Sequence, residues 1–414
     1  MRRLPSSSSP SQAPSPGSTR RRFLLGAGPL LAAAWTGLGG FACKDSKPSG
    51  SSGGSSTPNA PTSNEIVVGH YGSLTGNTAH FGQDTDKAVR LAIDEVNAAG
   101  GLLGKQVRLV TLDDRGDSAE AANAVTRLID VEKVVAIIGE VASSLSLAGG
   151  RVAQRRQVPM ISPSSTNPKV TQVGDYIFRV CFLDPFQGKV MADFAHDTLK
   201  FTRVGILRDV KNDYSIGLAD AFKAAFTARG GTIPVEQSYS AGDTDFSAQI
   251  TAIKAADVQG LYVPGYYSEV GTIARTAQRL GLKVPLMGGD GWDAPDLFKI
   301  GGDALDGSFY SNHFAPDAAT AKSQKFVRDF KAKYGQEPTG LGALGYDAAG
   351  VLFEAIRASG KTDPAGIREA LTHVKNFEGV SGTISINANR DADKSAVIVA
   401  IEGGKGKYRA TVSP

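Results

Sequence analysis

From Glu65 onward the sequence repeats one unit: a short β-branched run, then a Gly/Ser/Asp loop, then a segment with helical periodicity. That rhythm calls for parallel strands covered by helices, because a crossover helix is what brings the chain back to the next parallel strand. EIVVGHYG reads as the first strand, and DTDKAVRLAIDEVNAAGG as a helix with Val89, Ile93 and Val96 on one face and Gly100 ending it. VRLVTLDD, AEAANAVTRLID, VVAIIG, LSLAGGRVAQRR and PMISP continue the alternation, with the loop EVASS between the third strand and its helix. A second series starts at RVGILRD and runs through SIGLADAFKAAFTARGG, VEQSYS, FSAQITAIKAA, GLYVPG, EVGTIARTAQRLG, VPLMGG and SFYSNHF. The chain has 414 residues, more than one hydrophobic core usually serves.

The predicted fold class is therefore α/β, with two doubly wound parallel-sheet lobes joined by a multi-strand hinge. YIFRVCFLDPFQG, Tyr176 to Gly188, is expected to cross between them as a strand. The helices in TAKSQKFVRDFKAKYG and GALGYDAAGVLFEAIRASG are expected to return to the first lobe. The first lobe would then hold residues 65–183 and 314–392, and the second 184–313 and 393–414.

Ahead of the repeats, residues 1–42 read as an export signal. TRRRFL resembles the twin-arginine pattern at Thr19, Arg20, Arg21, Phe23 and Leu24, and a Gly/Ala-rich apolar stretch follows to Ala42. The stretch is less apolar than the roughly 20 strongly hydrophobic residues a membrane span needs. Cys43 at the junction resembles a bacterial lipoprotein site, which implies a lipidated N-terminus, although Gly40 and Phe41 depart from the family pattern. Residues 43–64, rich in Ser, Gly and Pro, read as a flexible tether. The formal charge of +4 is carried by this region: its first 42 residues hold five arginines and no acid, and removing them leaves 40 basic residues against 41 acidic. A nucleic-acid partner has no electrostatic support. With Cys43 and Cys181 the only cysteines, no disulfide framework is expected, and Cys181 reads as a buried apolar residue.

In open parallel sheets ligands sit beyond the carboxyl ends of strands, where helix N-termini offer free amides. Two consecutive loops place hydroxyls there: Ser143 and Ser144 after VVAIIG, then Ser164, Ser165 and Thr166 after PMISP. Neither loop carries Lys or Arg, so amides and hydroxyls suit one carboxylate better than a phosphate chain. The other reading is plain helix capping. The second series supplies Tyr214, Tyr266, Tyr267, Asp290 and Trp292 at its strand ends, an acid beside phenols, as an ammonium group requires. Together they predict a small zwitterionic ligand with Phe81 and the tyrosines around its side chain, unless Asp290 only caps the next helix.

SLTGNTAHFGQDTDKAVRLAIDEVNAAGGLLGKQV, MISPSSTNPKVT, SAGDTDFSAQITAIKAADVQGLYVPGYYSEVG and MGGDGWD, in that order, resemble the periplasmic branched-chain amino acid binding proteins of ABC transporters. The resemblance spans Glu65 to the chain end and implies a type I periplasmic-binding-protein fold, a Venus-flytrap that closes on its ligand. It implies that Ser143, Ser165 and Thr166 meet the ligand's carboxylate and amino groups. Tyr214 and Tyr266 would close over it, with Phe81 near. Where relatives specific for leucine, isoleucine and valine usually have Glu, this chain has Asp290. The disulfide of some relatives cannot form, since Ala142 and Arg115 or Gly116 occupy that region.

The implied role is delivery of an amino-acid-like small molecule to an ABC permease and its ATPase subunits by a periplasmic monomer, which touches the membrane only through a lipid anchor on Cys43. A sensory receptor for amides, urea or aromatic acids is the alternative. Catalysis is not expected, nor any cofactor or metal: the five histidines, His70, His80, His196, His313 and His373, are scattered, and Gly69, Gly72 and Gly76 match neither a dinucleotide fingerprint nor a P-loop.

Overall fold

A computed structural model describes residues 64–318 and 320–414. The expected export signal over 1–42, the Cys43 site and the tether up to residue 63 lie outside the described residues.

The first sheet is built from β1 (Glu65–Gly72), β2 (Gln106–Asp113), β3 (Ala136–Ile138), β4 (Met160–Ser162) and β5 (Ile177–Arg179), connected by α1 (Ala79–Ala98), α2 (Ser118–Asp130), α3 (Ser143–Arg156) and α4 (Lys169–Gln172). The strands are all parallel, in the order β2-β1-β3-β4-β5. β1 is buried along almost its whole length, because helices cover both faces. On one face Val68, Ile138 and Phe178 pack with Val89 and Ile93 of α1. On the other, Val67, Tyr71 and Ile137 pack with Val125 and Leu128 of α2.

The chain crosses to the second lobe just after β5 and enters α5 (Asp184–Asp193). The crossing expected as one long strand is thus three residues of strand, a short link over 180–183 that bends at Val180 and Cys181, and a helix that Asp184 and Pro185 open. The alternation resumes with β6 (Val204–Asp209), α6 (Asp213–Ala228), β7 (Glu236–Tyr239), α7 (Ser247–Ala255), β8 (Gly260–Tyr262), α8 (Tyr267–Arg279), β9 (Leu286–Gly288), α9 (Pro295–Gly301) and β10 (Phe309–Asn312). At 313–315 the chain goes back, and α10 (Ala321–Tyr334), α11 (Gly340–Ser359) and α12 (Pro364–Thr372) follow. α11 shares the first lobe's core through Leu344, Ala348 and Leu352.

A small antiparallel sheet, β11 (Phe377–Gly379), β12 (Gly382–Ile386) and β13 (Ala392–Asp393), precedes a third crossing at 394–395. The hairpin β14 (Ala396–Glu402) and β15 (Lys405–Val412) then adds antiparallel to β10. The second sheet has the order β15-β14-β10-β9-β8-β6-β7 and is mixed rather than purely parallel. Its core includes Trp292, fully buried, whose indole N–H donates to the Val263 carbonyl at 2.9 Å. Cys181 is buried in the first crossing, where its thiol lies 3.3 Å from the Ser165 carbonyl and burial pushes its pKa up to about 12. No helix of the described residues is long and apolar enough to cross a membrane.

Candidate functional site

The carboxyl ends of both sheets face one cleft. On the first-lobe side, α3 begins at Ser143 without a side-chain cap, so its first amides lack an intrahelical partner. The Ser143 hydroxyl accepts from the Asn167 amide at 3.3 Å. Ser165 is wired inward: its hydroxyl lies 2.7 Å from Ser146 Oγ and 3.0 Å from the carbonyls of Glu140 and Val141, and its amide donates to Ser162 Oγ. Those bonds fix the β4–α4 loop and leave Ser165 shaping the wall rather than offering a free hydroxyl. Thr166, next along, is fully buried and its hydroxyl has no hydrogen-bond partner.

On the second-lobe side Tyr214 and Tyr266 stack at 5.3 Å between ring centres and 11° between planes. The fit requires a glycine at 291: a methyl there would lie 2.8 Å from the Gly265 carbonyl and 2.9 Å from the Tyr266 ring. The Gly291 amide donates to the Tyr214 hydroxyl at 3.1 Å. Phe81 of α1 reaches across to meet Tyr266 and Tyr267 edge-on, at 5.4 and 5.0 Å. Asp290 is buried, and each of its oxygens has a protein partner: Gln187 Nε2 at 2.8 Å and His313 Nε2 at 3.0 Å.

The expected residues therefore converge on one region, but in unequal roles. Ser144 and Tyr266 line an open cavity of about 440 Å³ at the mouth of the cleft, together with Asn77, Arg115, Asp209 and Glu269. Ser144 also ties the lobes together, donating to Asp213 Oδ2 at 3.1 Å and accepting from the Asp213 amide at 3.0 Å. Ser143, Ser165, Thr166, Tyr214, Asp290 and Phe81 lie deeper, behind that mouth.

Sequence reasoning passed over four neighbours that the fold brings in: Asp184, Gln187, Tyr262 and His313. Asp184 was read as part of a crossing strand. It opens α5 instead, and its amide donates to the Thr166 carbonyl at 2.9 Å. Neither of its carboxylate oxygens has a hydrogen-bond partner, and burial pushes its pKa up to about 8 against the opposing pull of the nearby Thr166 hydroxyl. The only sequence signal was Asp-Pro, a helix-opening pair.

Ser164 Oγ, Thr166 Oγ1, both Asp184 oxygens, Gln187 Oε1 and the hydroxyls of Tyr262 and Tyr266 are all buried without a partner. Their proximity shows in the charges of Asp184 and Asp290, which both raise the phenol pKa values of Tyr214, Tyr262 and Tyr266, where burial is the larger cause. Buried polar groups are normally satisfied. A cluster of acceptors and hydroxyls left open between two lobes is complementary to a small molecule that brings N–H donors.

Among the described residues no group of three His, Cys, Asp or Glu side chains is arranged to hold a metal ion. A family model described as periplasmic binding protein matches residues 65–406. The Leu/Ile/Val-binding protein homolog 3 of Brucella melitensis is 32% identical over 331 residues, 79% of this chain and 88% of that protein. A leucine binding protein from Thermotoga maritima superposes with a TM-score of 0.81 at 42% identity, covering 84% of this chain and 99% of its own. A branched-chain amino acid transporter substrate binding protein from Streptococcus pneumoniae, solved with isoleucine, gives 0.81 at 33% identity and covers 84% and 100%.

Proposed function

This chain belongs to the periplasmic binding protein family, and from that premise we propose that it is the solute-binding component of an ABC transporter, closing on a branched-chain α-amino acid. The observation that carries the reading is the open set of acceptors and hydroxyls between the lobes. An α-ammonium satisfies acceptors with three N–H donors, and an α-carboxylate suits free amides at a helix start. In this reading the first amides of α3, the Ser143 hydroxyl and Thr166 take the carboxylate. Asp290 and Asp184 take the ammonium, and Phe81, Tyr214 and Tyr266 flank the side chain. Ser165 holds the loop that presents Thr166.

Among structures that match along almost their whole length, the one solved with isoleucine is 33% identical and one solved with 3,4-dihydroxy benzoic acid 25%, and the higher identity favours an aliphatic side chain over an aromatic acid. Delivery to a permease and its ATPase subunits, residence in the periplasm as a monomer, and a lipid on Cys43 complete the proposal. The lipid is tested by the intact mass of the membrane-fraction protein.

The function is tested by melting the purified protein with L-leucine, L-isoleucine, L-valine and the des-amino analogue 4-methylpentanoate. A ligand at 100 times its Kd stabilises by about 2.7 kcal/mol, so at least one of the three amino acids should raise Tm by several degrees and 4-methylpentanoate should not. No shift with any of the three, or an equal shift with the analogue, sinks the reading.

A further inference from the structure

We propose that His313 is a positioning residue for ligand binding: its imidazole donates through Nε2 to Asp290 and braces that carboxylate against the crossings on which the two lobes pivot. The inference rests on the reading of Asp290 as an ammonium partner and adds what holds Asp290 in place.

His313 immediately follows β10, at the start of the second crossing. Its side chain is fully buried, and Nε2 lies 3.0 Å from Asp290 Oδ2. The ring stacks on Phe182 of the first crossing, with centres 3.7 Å apart and planes 26° apart. Lys394, buried in the third crossing, is close enough for its charge to disfavour a second cation at His313. Burial, the larger cause, with Lys394 holds the imidazole pKa down to about 4 although Asp290 pulls it up. The ring is therefore neutral at pH 7, with one proton to place. Nδ1 has no partner, so the proton belongs on Nε2, where it meets a carboxylate. Gln187 from α5 holds the other oxygen at 2.8 Å.

Each Asp290 oxygen thus keeps a lone pair for a ligand while a fixed donor occupies the other. The imidazole belongs to the second crossing, stacks on the first and feels the charge of the third, so a change of hinge angle bears on the acid through it. No motif in the sequence marked His313. It was one of five scattered histidines, and only the fold sets it against Asp290.

The test is a double-mutant cycle read by calorimetry with L-leucine, each variant first checked for cooperative melting. A hydrogen bond to a charged group corresponds to a loss of about 10- to 100-fold, so His313→Leu should weaken binding by that factor. In an Asp290→Asn background the same change should cost no more than about 2-fold. His313→Gln, which keeps an N–H donor, should recover most of the loss. Equal losses in both backgrounds would mean that His313 only fills space, and would overturn the proposal.

Nitrogen-15 NMR of the unaltered, ligand-free protein gives a second decision that needs no ligand and no variant. The His313 imidazole should be the Nε2–H tautomer at pH 7, and an Nδ1–H tautomer or a cationic ring overturns the proposal. If Asp290→Asn alone leaves leucine affinity unchanged, the assignment of Asp290 to the ammonium fails instead, and the tautomer still decides whether His313 braces that carboxylate.

Discussion

Asp184 shows what a single buried acid implies when its partners are missing. With a folded pKa near 8 against an ordinary value near 4, it holds its proton at neutral pH. An arriving ammonium favours the carboxylate, so binding should drive a proton into solution. Calorimetry of leucine binding at pH 7 in two buffers of different ionisation enthalpy should therefore show proton release, and Asp184→Asn should abolish it. A methyl group at 2.8–2.9 Å from the Gly265 carbonyl and the Tyr266 ring overpacks the tyrosine stack, so Gly291→Ala should cost about 1–3 kcal/mol in urea denaturation. Residue types were readable in advance: serines, threonine and tyrosines at strand ends did converge. Which of them were already satisfied was not readable, because Ser165 is bonded by residues some twenty positions away, and Asp184 is buried by surroundings that only the fold assembles.

α11 is capped by Thr339, whose side chain accepts from the Gly342 amide and donates to Asp84 of α1 at 2.6 Å. Gly342 and Gly345 bring the two backbones close: added methyl groups would lie 2.4 Å from Asp84 Oδ2 and 2.9 Å from the Thr85 methyl. Gly→Ala inside a helix normally gains about 1 kcal/mol, but here overpacking of about 1–3 kcal/mol opposes it. Gly342→Ala should therefore lower stability or leave it unchanged, against the propensity scale, as thermal melting would show. The long, strongly periodic elements such as α1 were legible because their apolar faces matched the buried ones. The C-terminal hairpin was not picked out, although Gly403-Gly404 between β14 and β15, both at positive φ, is a hairpin-turn signature. The crossing after β5 was misjudged as strand because its apolar residues are buried by both lobes rather than by a sheet.

The two lobes also meet at the start of α6. Asp213 takes Ser144 from the first lobe at two atoms, Asn167 donates to its carbonyl at 2.7 Å, and Lys169 pairs with its carboxylate at 3.3 Å. The lysine pair is exposed and contributes little; the Ser144 and Asn167 bonds matter more. Removing Ser144 should shift the ligand-free population toward open forms and weaken leucine binding about 2- to 10-fold, mostly through faster dissociation. A larger loss would place Ser144 on the ligand itself. Burial also raises the pKa values of Asp114 and Asp293, each to about 6, as it does that of Asp184. An acid whose pKa is higher folded than unfolded binds more protons in the folded state between the two values. The buried His70, His80 and His313, whose pKa values burial lowers, act in the opposite sense below about 6.5, so ligand-free stability should fall as pH rises from about 6.5 to 8, where Asp184 holds its proton only in the folded state, and saturating ligand should flatten that slope, as Tm measured across the range would reveal. The two-lobe plan itself was readable from the repeat of strand, loop and helix.

Trp292 gives the molecule an optical readout of its own. The sequence has two tryptophans, Trp35 and Trp292, so a mature chain cut anywhere between Trp35 and Glu65 keeps a single indole, buried beside the Asp290 turn. If closing on L-leucine moves that turn, the emission of this indole changes with it, and stopped-flow fluorescence then times capture and release on the native protein without a label.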